Sequence, residues 1–216
     1  DATNVDATVG GGLSNTAAGL CSTVGGGVNN ISNGAISTIS GGQNNTASGY
    51  IATISGGDDN TALGVRGTIS GGYGNYIGLV GNFSIIGSGF QNDILECMSV
   101  ISGGRLNTTT KCYSNIGGGL SNTSSGFYTT ISGGCNNYTT ASGSTIGGGH
   151  LNDATNVDAV VGGGIQNTSA GIRSTVGGGY LNKASNTQAT IGGGRNNRAL
   201  SDNTTVSGGY SNHIGT

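Results

Sequence analysis

The stretch Ser37-Thr-Ile-Ser-Gly-Gly-Gln-Asn-Asn-Thr-Ala-Ser-Gly49 decides the fold, because its pattern recurs along the whole chain. In this unit Asn45 lies six residues after Ile39 and three residues after Gly42. The same spacing repeats every fifteen residues, with a single seventeen-residue step. A fixed period of this kind is the signature of a repeat architecture. The repeated asparagines are Asn15, Asn30, Asn45, Asn60, Asn75, Asn92, Asn107, Asn122, Asn137, Asn152, Asn167, Asn182, Asn197 and Asn212.

Each unit is numbered from its Ile or Val, which is position zero; Ile39 is one example. Position −2 is always small and position −4 is often apolar, as in Val5, Leu20 and Tyr50. Because side chains two residues apart share one face of a strand, the pattern predicts that −4, −2 and zero point inward together. Positions −3, −1 and +1 are then expected to face solvent.

A glycine corner follows each anchor, and a second small residue recurs at +8, as in Ala47. This predicts a second short strand whose side chain also faces inward. Fifteen residues with two corners form one turn of a parallel β-solenoid, a β-roll. We therefore expect an all-β fold of about fourteen fifteen-residue coils. No 3.6-residue period supports a helix.

The composition excludes several other classes. Glycine accounts for 47 of 216 residues, but the chain has no proline and lacks the three-residue period of collagen. Charged residues are 7% and the net charge is −2, so we expect neither nucleic acid nor membrane insertion as a partner. The two histidines lie in different columns, and Asp58-Asp59 is more typical of a solvated turn than of an acid/base pair. We expect no enzyme, no metal and no cofactor.

The asparagine column favours a structural role. A side-chain amide has two donors and an acceptor, so amides stacked one coil apart can bond along the column and fix its register. The alternative is a row of ligand-binding amides. A column that stays the same while its neighbours vary is more typical of a scaffold.

The +4 column is variable and often apolar, at a corner that is expected to face out. An exposed apolar stripe usually marks an interface, which favours lateral association of copies of the chain. A stripe that binds sugars or another surface is the alternative. The candidate interface residues are Leu13, Val28, Tyr73, Phe90, Leu120, Ile165, Tyr180 and Tyr210.

Residues 1–216 are predicted to form a single solenoid domain with a two-residue insertion near 78–82, which we expect to bulge outward as a binding loop or as a trace of repeat copying. Both ends fall inside repeats, and residues 1–12 recur with one change as residues 153–164. We therefore expect a segment of a longer repetitive chain, or a unit that stacks end to end.

Four cysteines and eight Asn-x-Ser/Thr sequons suggest an extracellular setting. Cys97 and Cys112 both occupy position −4 in adjacent coils, a placement that suits a disulfide, although reduced core cysteines are the alternative. Five of the sequons coincide with the asparagine column. The sequons outside it, and therefore the better glycosylation candidates, are Asn44, Asn82 and Asn203.

Units such as Ser37–Gly49 and Ser174-Thr-Val-Gly-Gly-Gly179 resemble the head repeats of trimeric autotransporter adhesins and related viral or phage fibre repeats. The resemblance covers essentially the whole chain. It implies a left-handed β-roll, a homotrimer, display on a cell or virion surface, and binding to host surfaces. The fifteen-residue period departs from the fourteen that is common in those heads, and four cysteines are unusual for the bacterial members.

Three functions follow from these patterns. The first is a structural or adhesive fibre or filament module on a cell or virion surface, in which a glycoprotein chain assembles side by side or end to end. The second is an ice-binding solenoid, since five coils carry Thr-x-Ser on the outer face, although Ile85 and Val100 interrupt the threonine column. The third is a glycan-binding fibre. Recognition is expected on the +4, +5 and −3 columns or on the insertion.

Overall fold

The computed structural model describes residues 1–215, which fall into two units, 1–109 and 110–215. Each unit is a parallel β-solenoid of seven coils, and the described residues contain no helix. The predicted fold, an all-β solenoid of about fourteen coils spaced by about fifteen residues, is confirmed. The hand of the coil stays a prediction of the resemblance.

Each coil contributes two strands of two residues, at positions −1 to zero and +7 to +8. In residues 1–109 the odd strands form one parallel sheet and the even strands another. These strands are β1 (Thr8–Val9), β2 (Thr16–Ala17), β3 (Thr23–Val24), β4 (Ile31–Ser32), β5 (Thr38–Ile39), β6 (Thr46–Ala47), β7 (Thr53–Ile54), β8 (Thr61–Ala62), β9 (Thr68–Ile69), β10 (Tyr76–Ile77), β11 (Ile85–Ile86), β12 (Asp93–Ile94), β13 (Val100–Ile101) and β14 (Thr108–Thr109).

Residues 110–215 repeat the arrangement, again with odd strands in one sheet and even strands in the other. The strands are β15 (Asn115–Ile116), β16 (Thr123–Ser124), β17 (Thr130–Ile131), β18 (Tyr138–Thr139), β19 (Thr145–Ile146), β20 (Asp153–Ala154), β21 (Val160–Val161), β22 (Thr168–Ser169), β23 (Thr175–Val176), β24 (Lys183–Ala184), β25 (Thr190–Ile191), β26 (Arg198–Ala199), β27 (Thr205–Val206) and β28 (His213–Ile214).

The register places equivalent positions of successive coils directly opposite each other. Ile39 of β5 pairs with Ile54 of β7, and the N–H of Thr38 donates to the Ala52 carbonyl at 2.9 Å. A third ladder, which the sequence did not predict, runs through position +4 as single-residue bridges such as Gln43 to Asp58. Within each unit, each coil is thus tied to the next on three sides.

The core is narrow and consists mainly of the zero and +8 columns. Ile39 and Ala47 are completely buried, and so is Ser37 at position −2. Where Ile77 fills position +8, its coil carries Gly67 at −2; a Cβ there would lie 3.3 Å from Cγ2 of Ile77. The inward orientation predicted for zero, −2 and +8 is therefore correct, and large and small residues compensate within one coil.

The inward orientation predicted for position −4 is wrong. Val5, Leu20 and Tyr50 are exposed rather than buried. The cause is the residue at −3, which has a positive φ in every coil, as in Ile36 (φ 60°) and Arg66 (φ 54°). A left-handed residue interrupts the extended backbone, so the two-residue alternation no longer relates −4 to −2.

Two further left-handed residues turn each coil, the glycine at +3 and the residue at +5. In the third coil these are Gly42 (φ 90°) and Asn44 (φ 54°). The column asparagine at +6, Asn45 in this coil, is not left-handed. Its role therefore lies in its side-chain hydrogen bonds.

Candidate interaction surfaces

The asparagine column is a chain of saturated amides. Nδ2 of Asn60 donates to the carbonyls of Gly56 (3.2 Å) and Gly72 (3.0 Å) and to Oδ1 of Asn45 (3.1 Å). Its Oδ1 accepts the backbone N–H of Asn75 at 3.0 Å. Thus the amides bond mostly through the backbone of the adjacent coil, and only partly to each other.

The same pattern recurs in both units, and the column asparagines are buried except for Asn212. A buried amide whose donors and acceptors are already occupied offers nothing to a ligand. The geometry therefore favours the scaffold interpretation over a row of ligand-binding amides.

The +4 column lies at the surface but is not continuously apolar. Polar residues such as Gln43 and Asp58 in the first unit, and Cys135 and His150 in the second, interrupt it. Of the eight predicted interface residues, two are half-buried and six are exposed. The half-buried ones are Val28 and Tyr180; the exposed ones are Leu13, Tyr73, Phe90, Leu120, Ile165 and Tyr210.

The aromatic rings of the +4 column stack along the solenoid. Phe90 lies between Tyr73, with ring centroids 5.1 Å apart and planes inclined by 18°, and the guanidinium of Arg105 at 5.0 Å. Both faces of Phe90 are therefore covered from within the chain. A sugar that stacks on this ring has to displace Tyr73 or Arg105, which weakens the prediction of a sugar platform here.

A more continuous apolar surface lies at positions −4 and −3 of residues 1–109, which we call the apolar corner. All seven of its coils contribute at least one apolar residue there. Leu20 (46% exposed), Tyr50 (48%) and Phe83 (48%) are typical. The apolar corner comprises Val5, Leu20, Ala35, Ile36, Tyr50, Ile51, Val65, Phe83 and Met98.

The sequence contained a signal for this surface. Asp6, Gly143, Asp158 and Asn203 all occupy −3, and these residue types are typical of left-handed positions. Read in that way, the −3 column predicts a corner, and −4 then has to lie outside.

The predicted insertion does lie at the surface, beside the apolar corner. Leu79 is 74% exposed and Val80 is 60% exposed. The N–H of Gly81 donates to the Gly78 carbonyl at 2.9 Å, which closes the added turn. The insertion thus adds two apolar side chains close to Phe83.

The predicted modification sites differ in accessibility. Asn44 and Asn203 are exposed, whereas Asn82 is half-buried and its Oδ1 accepts the N–H of Val65 at 2.8 Å. Cys21 is an exposed free thiol and Cys135 a half-buried one. The pairing of Cys97 with Cys112 stays a prediction.

Two aspartates are half-buried on the outer side of the even-numbered strands. Asp93 lies beside Tyr76 in the register of the sheet, and Asp153 lies beside Tyr138. Desolvation by burial raises the pKa of both carboxyls above the ordinary value. Among residues 1–215, no cluster of His, Cys, Asp and Glu is arranged to hold a metal ion.

Two cations and a histidine lie in the same outer column near the end of the second unit. Lys183 pairs with Arg198 and Arg198 pairs with His213, and all three residues are exposed. A net charge of −2 for the whole chain conceals this column, so composition could not reveal it.

Comparison with known proteins gives no family. The chain matches no protein-family model and no curated protein sequence. The resemblance to adhesin and fibre repeats therefore stays a prediction from the motif. Within the described residues there is also no helix long and apolar enough to cross a membrane.

Proposed function

We propose that this chain is a structural and adhesive fibre module, displayed outside the cell or on a virion, that associates side by side through the apolar corner. The buried residues pack against each other or form hydrogen bonds within the solenoid, so a binding function has to lie on the outer columns. The apolar corner is the most continuous apolar surface of the first unit. Exposed apolar stripes of this kind are typical of protein interfaces.

The observation that carries the proposal is the presence of isoleucine at two left-handed positions. Ile36 has φ 60° and Ile51 has φ 58°. For a β-branched residue this conformation costs roughly 1–2 kcal/mol, whereas glycine or asparagine adopts it more readily. Ile36 is also 45% exposed, so burial within its own chain offsets little of that cost. A partner that covers these side chains explains why the cost is tolerated.

A second copy of the same chain is the partner that fits best. The corner residues repeat once per coil, so a parallel copy has the same rise and meets each residue with its equivalent. A homotrimer, as the resemblance implies, satisfies this geometry, and so does a lateral filament.

The test is the mass of the chain in solution, measured by light scattering and by sedimentation over a range of concentrations. The variant Ile36→Asn/Ile51→Asn removes apolar area while relieving backbone strain. We expect it to be monomeric and at least as heat-resistant as the wild-type monomer. Leu106→Asn is the matched control, because Leu106 is left-handed (φ 57°) and 41% exposed but lies at the +5 corner.

The control variant should associate like the wild type. A wild-type chain that remains a monomer at high concentration would refute the proposal. A filament of chains stacked end to end would support the fibre role but would place the contact between chains at their ends rather than at the apolar corner.

Ice binding is a second candidate because one observation favours it. The threonines at position −1 of β1, β3, β5, β7 and β9 form an uninterrupted outward column, and the interruptions at Ile85 and Val100 come only afterwards. Thermal hysteresis at micromolar protein, lost in Thr53→Tyr but retained in Thr130→Tyr, would support it. Absence of hysteresis in the wild type would exclude it.

A further inference from the structure

The cationic column of the second unit places like charges against each other. Lys183 and Arg198 occupy position +7 of successive coils in parallel register, and the imidazole of His213 follows in the next coil. Neighbouring strands are about 4.8 Å apart, and like charges directly opposite each other on a sheet are destabilising. Such an arrangement is unfavourable in the isolated chain and becomes favourable when an anion lies across it.

A third cation lies on the other side of the +5 corner in the same coils. The guanidinium of Arg195 is 5.3 Å from the ring centroid of Tyr180 and 5.6 Å from that of Tyr210. Rings on both sides restrict this guanidinium while Arg195 remains exposed. The charge is therefore held in place before any ligand arrives.

Among the described residues of the second unit, no aspartate lies next to Lys183, Arg198 or His213 in the column. Asp158 is paired with Arg173 at 3.7 Å, and Oδ1 of Asp202 accepts the N–H of Thr187 at 3.0 Å. Asp153 shares the column but is separated from Lys183 by the strand that contains Thr168. The excess of positive charge is also visible in the sequence. Residues 110–216 carry five Lys or Arg and three Asp, whereas residues 1–109 carry two Arg and six Asp or Glu.

The surroundings of these cations are rich in groups that bond to hydroxyls. Asn196 lies at the corner between Arg195 and Arg198, and its Nδ2 donates to Oγ of Ser211 at 3.0 Å. Amides, hydroxyls and the edges of tyrosine rings beside cations suit a polymer that carries both hydroxyl and anionic groups. Three cations and one imidazole fall short of the larger number of phosphate contacts that supports tight DNA binding, and the chain as a whole is not basic.

We propose that Lys183, Arg195, Arg198 and His213 form a binding surface for an anionic polysaccharide, whose sulfate or carboxylate groups lie along the column. The inference rests on the proposed role as a displayed adhesive module, and it names a ligand class for it. The polymer runs across successive coils, so each coil presents one nitrogen-bearing side chain of the +7 column to the next anionic group.

Binding of the wild-type chain to immobilised heparin, measured at low and at physiological salt, tests this surface. Lys183→Gln/Arg198→Gln should bind roughly 10- to 100-fold more weakly at low salt, because two charge-assisted contacts are lost. Arg66→Gln/Arg105→Gln changes the net charge by the same amount in the first unit and should bind like the wild type. Both substitutions of the test variant fall on exposed side chains, so circular dichroism should be unchanged.

Three further probes separate the sources of the anionic group. Desulfated heparin retains carboxylates only, so binding to it assigns carboxylate recognition, and loss of binding assigns sulfate. A DNA duplex or phosphatidylserine vesicles that bind more tightly than both heparins would overturn the assignment to a polysaccharide. Equal losses in the test and control variants would overturn the site.

Light scattering of the same samples distinguishes this inference from the proposed function. If Lys183→Gln/Arg198→Gln still associates but no longer binds heparin, the result supports both the fibre module and the polysaccharide surface. A wild-type chain that associates without binding either heparin refutes only the polysaccharide surface.

Discussion

Replacement of Asn60 by alanine tests whether the amide column holds the coils in register. Asn60 is completely buried, and its removal leaves the backbone N–H of Asn75 without its acceptor. An orphaned buried donor costs about 1–3 kcal/mol. The other partners suffer less, because Oδ1 of Asn45 still accepts the Asn60 N–H and the Gly72 carbonyl still accepts the Asp58 N–H.

These losses add about 1–2 kcal/mol more, so we expect Asn60→Ala to lower the free energy of unfolding by about 2–5 kcal/mol. That is a large part of the 5–15 kcal/mol typical of folded domains. Urea denaturation followed by circular dichroism measures it. Thr61→Ala is the control, because Thr61 directly follows Asn60 and lies on the outer face of its strand. It should lower the free energy of unfolding by less than about 1 kcal/mol.

Asn60→Asp separates hydrogen bonding from side-chain volume. A carboxylate still accepts the Asn75 N–H but cannot donate to Gly56 or Gly72, and it is a buried charge without a cation. Burial should raise its pKa, so stability should be lower than in Asn60→Ala at neutral pH and recover as acid protonates the carboxyl. If Asn60→Ala is as mild as Thr61→Ala, the column does not hold the register.

Three further predictions concern the packing between coils, the buried hydroxyls and the dependence of stability on pH. Gly49→Ala should prevent the native packing of adjacent coils, because its Cβ would lie 2.1 Å from the Gly64 carbonyl oxygen. Gly41→Ala is the control and should be neutral, because its Cβ meets no atom within 4 Å. The melting temperatures of the two variants test this difference. Ser22→Ala should stabilise by about 1 kcal/mol because its buried Oγ has no hydrogen-bond partner, while Ser37→Ala should destabilise in urea titrations because Ser37 pairs with Ser32 at 2.6 Å. Burial raises the folded-state pKa of Asp153, so the wild type should lose stability as pH rises above the ordinary carboxyl value; Asp153→Asn should be more stable at pH 7 and flatten a melting-temperature profile between pH 3 and 7.

The fifteen-residue period was enough to predict the fold, because the hydrogen bonds of a column of identical amides are satisfied when successive coils stack on each other. Ile39 and Ala47 lie inside as their spacing predicted. The asparagines are also placed as their chemistry requires, although their partners are chiefly backbone groups. A local pattern repeated in every coil leaves little freedom in register.

Predictions of orientation failed where the backbone changed conformation within a coil. Position −4 is exposed because Ile36 and its equivalents are left-handed, and spacing alone does not reveal φ. The cationic column was missed for another reason. Lys183 and Arg198 are separated by fifteen residues in sequence and become neighbours only through the register of β24 and β26.

The two-residue insertion has a consequence for engineering. Although Leu79 and Val80 lengthen one coil, Ile85 still pairs with Thr68, and Tyr76 still pairs with Asp93. The corner thus absorbs additional residues without shifting the strands on either side. Peptides inserted between Gly78 and Gly81 should therefore be displayed on an unchanged solenoid. Their position along its axis is set by the number of coils that precede them.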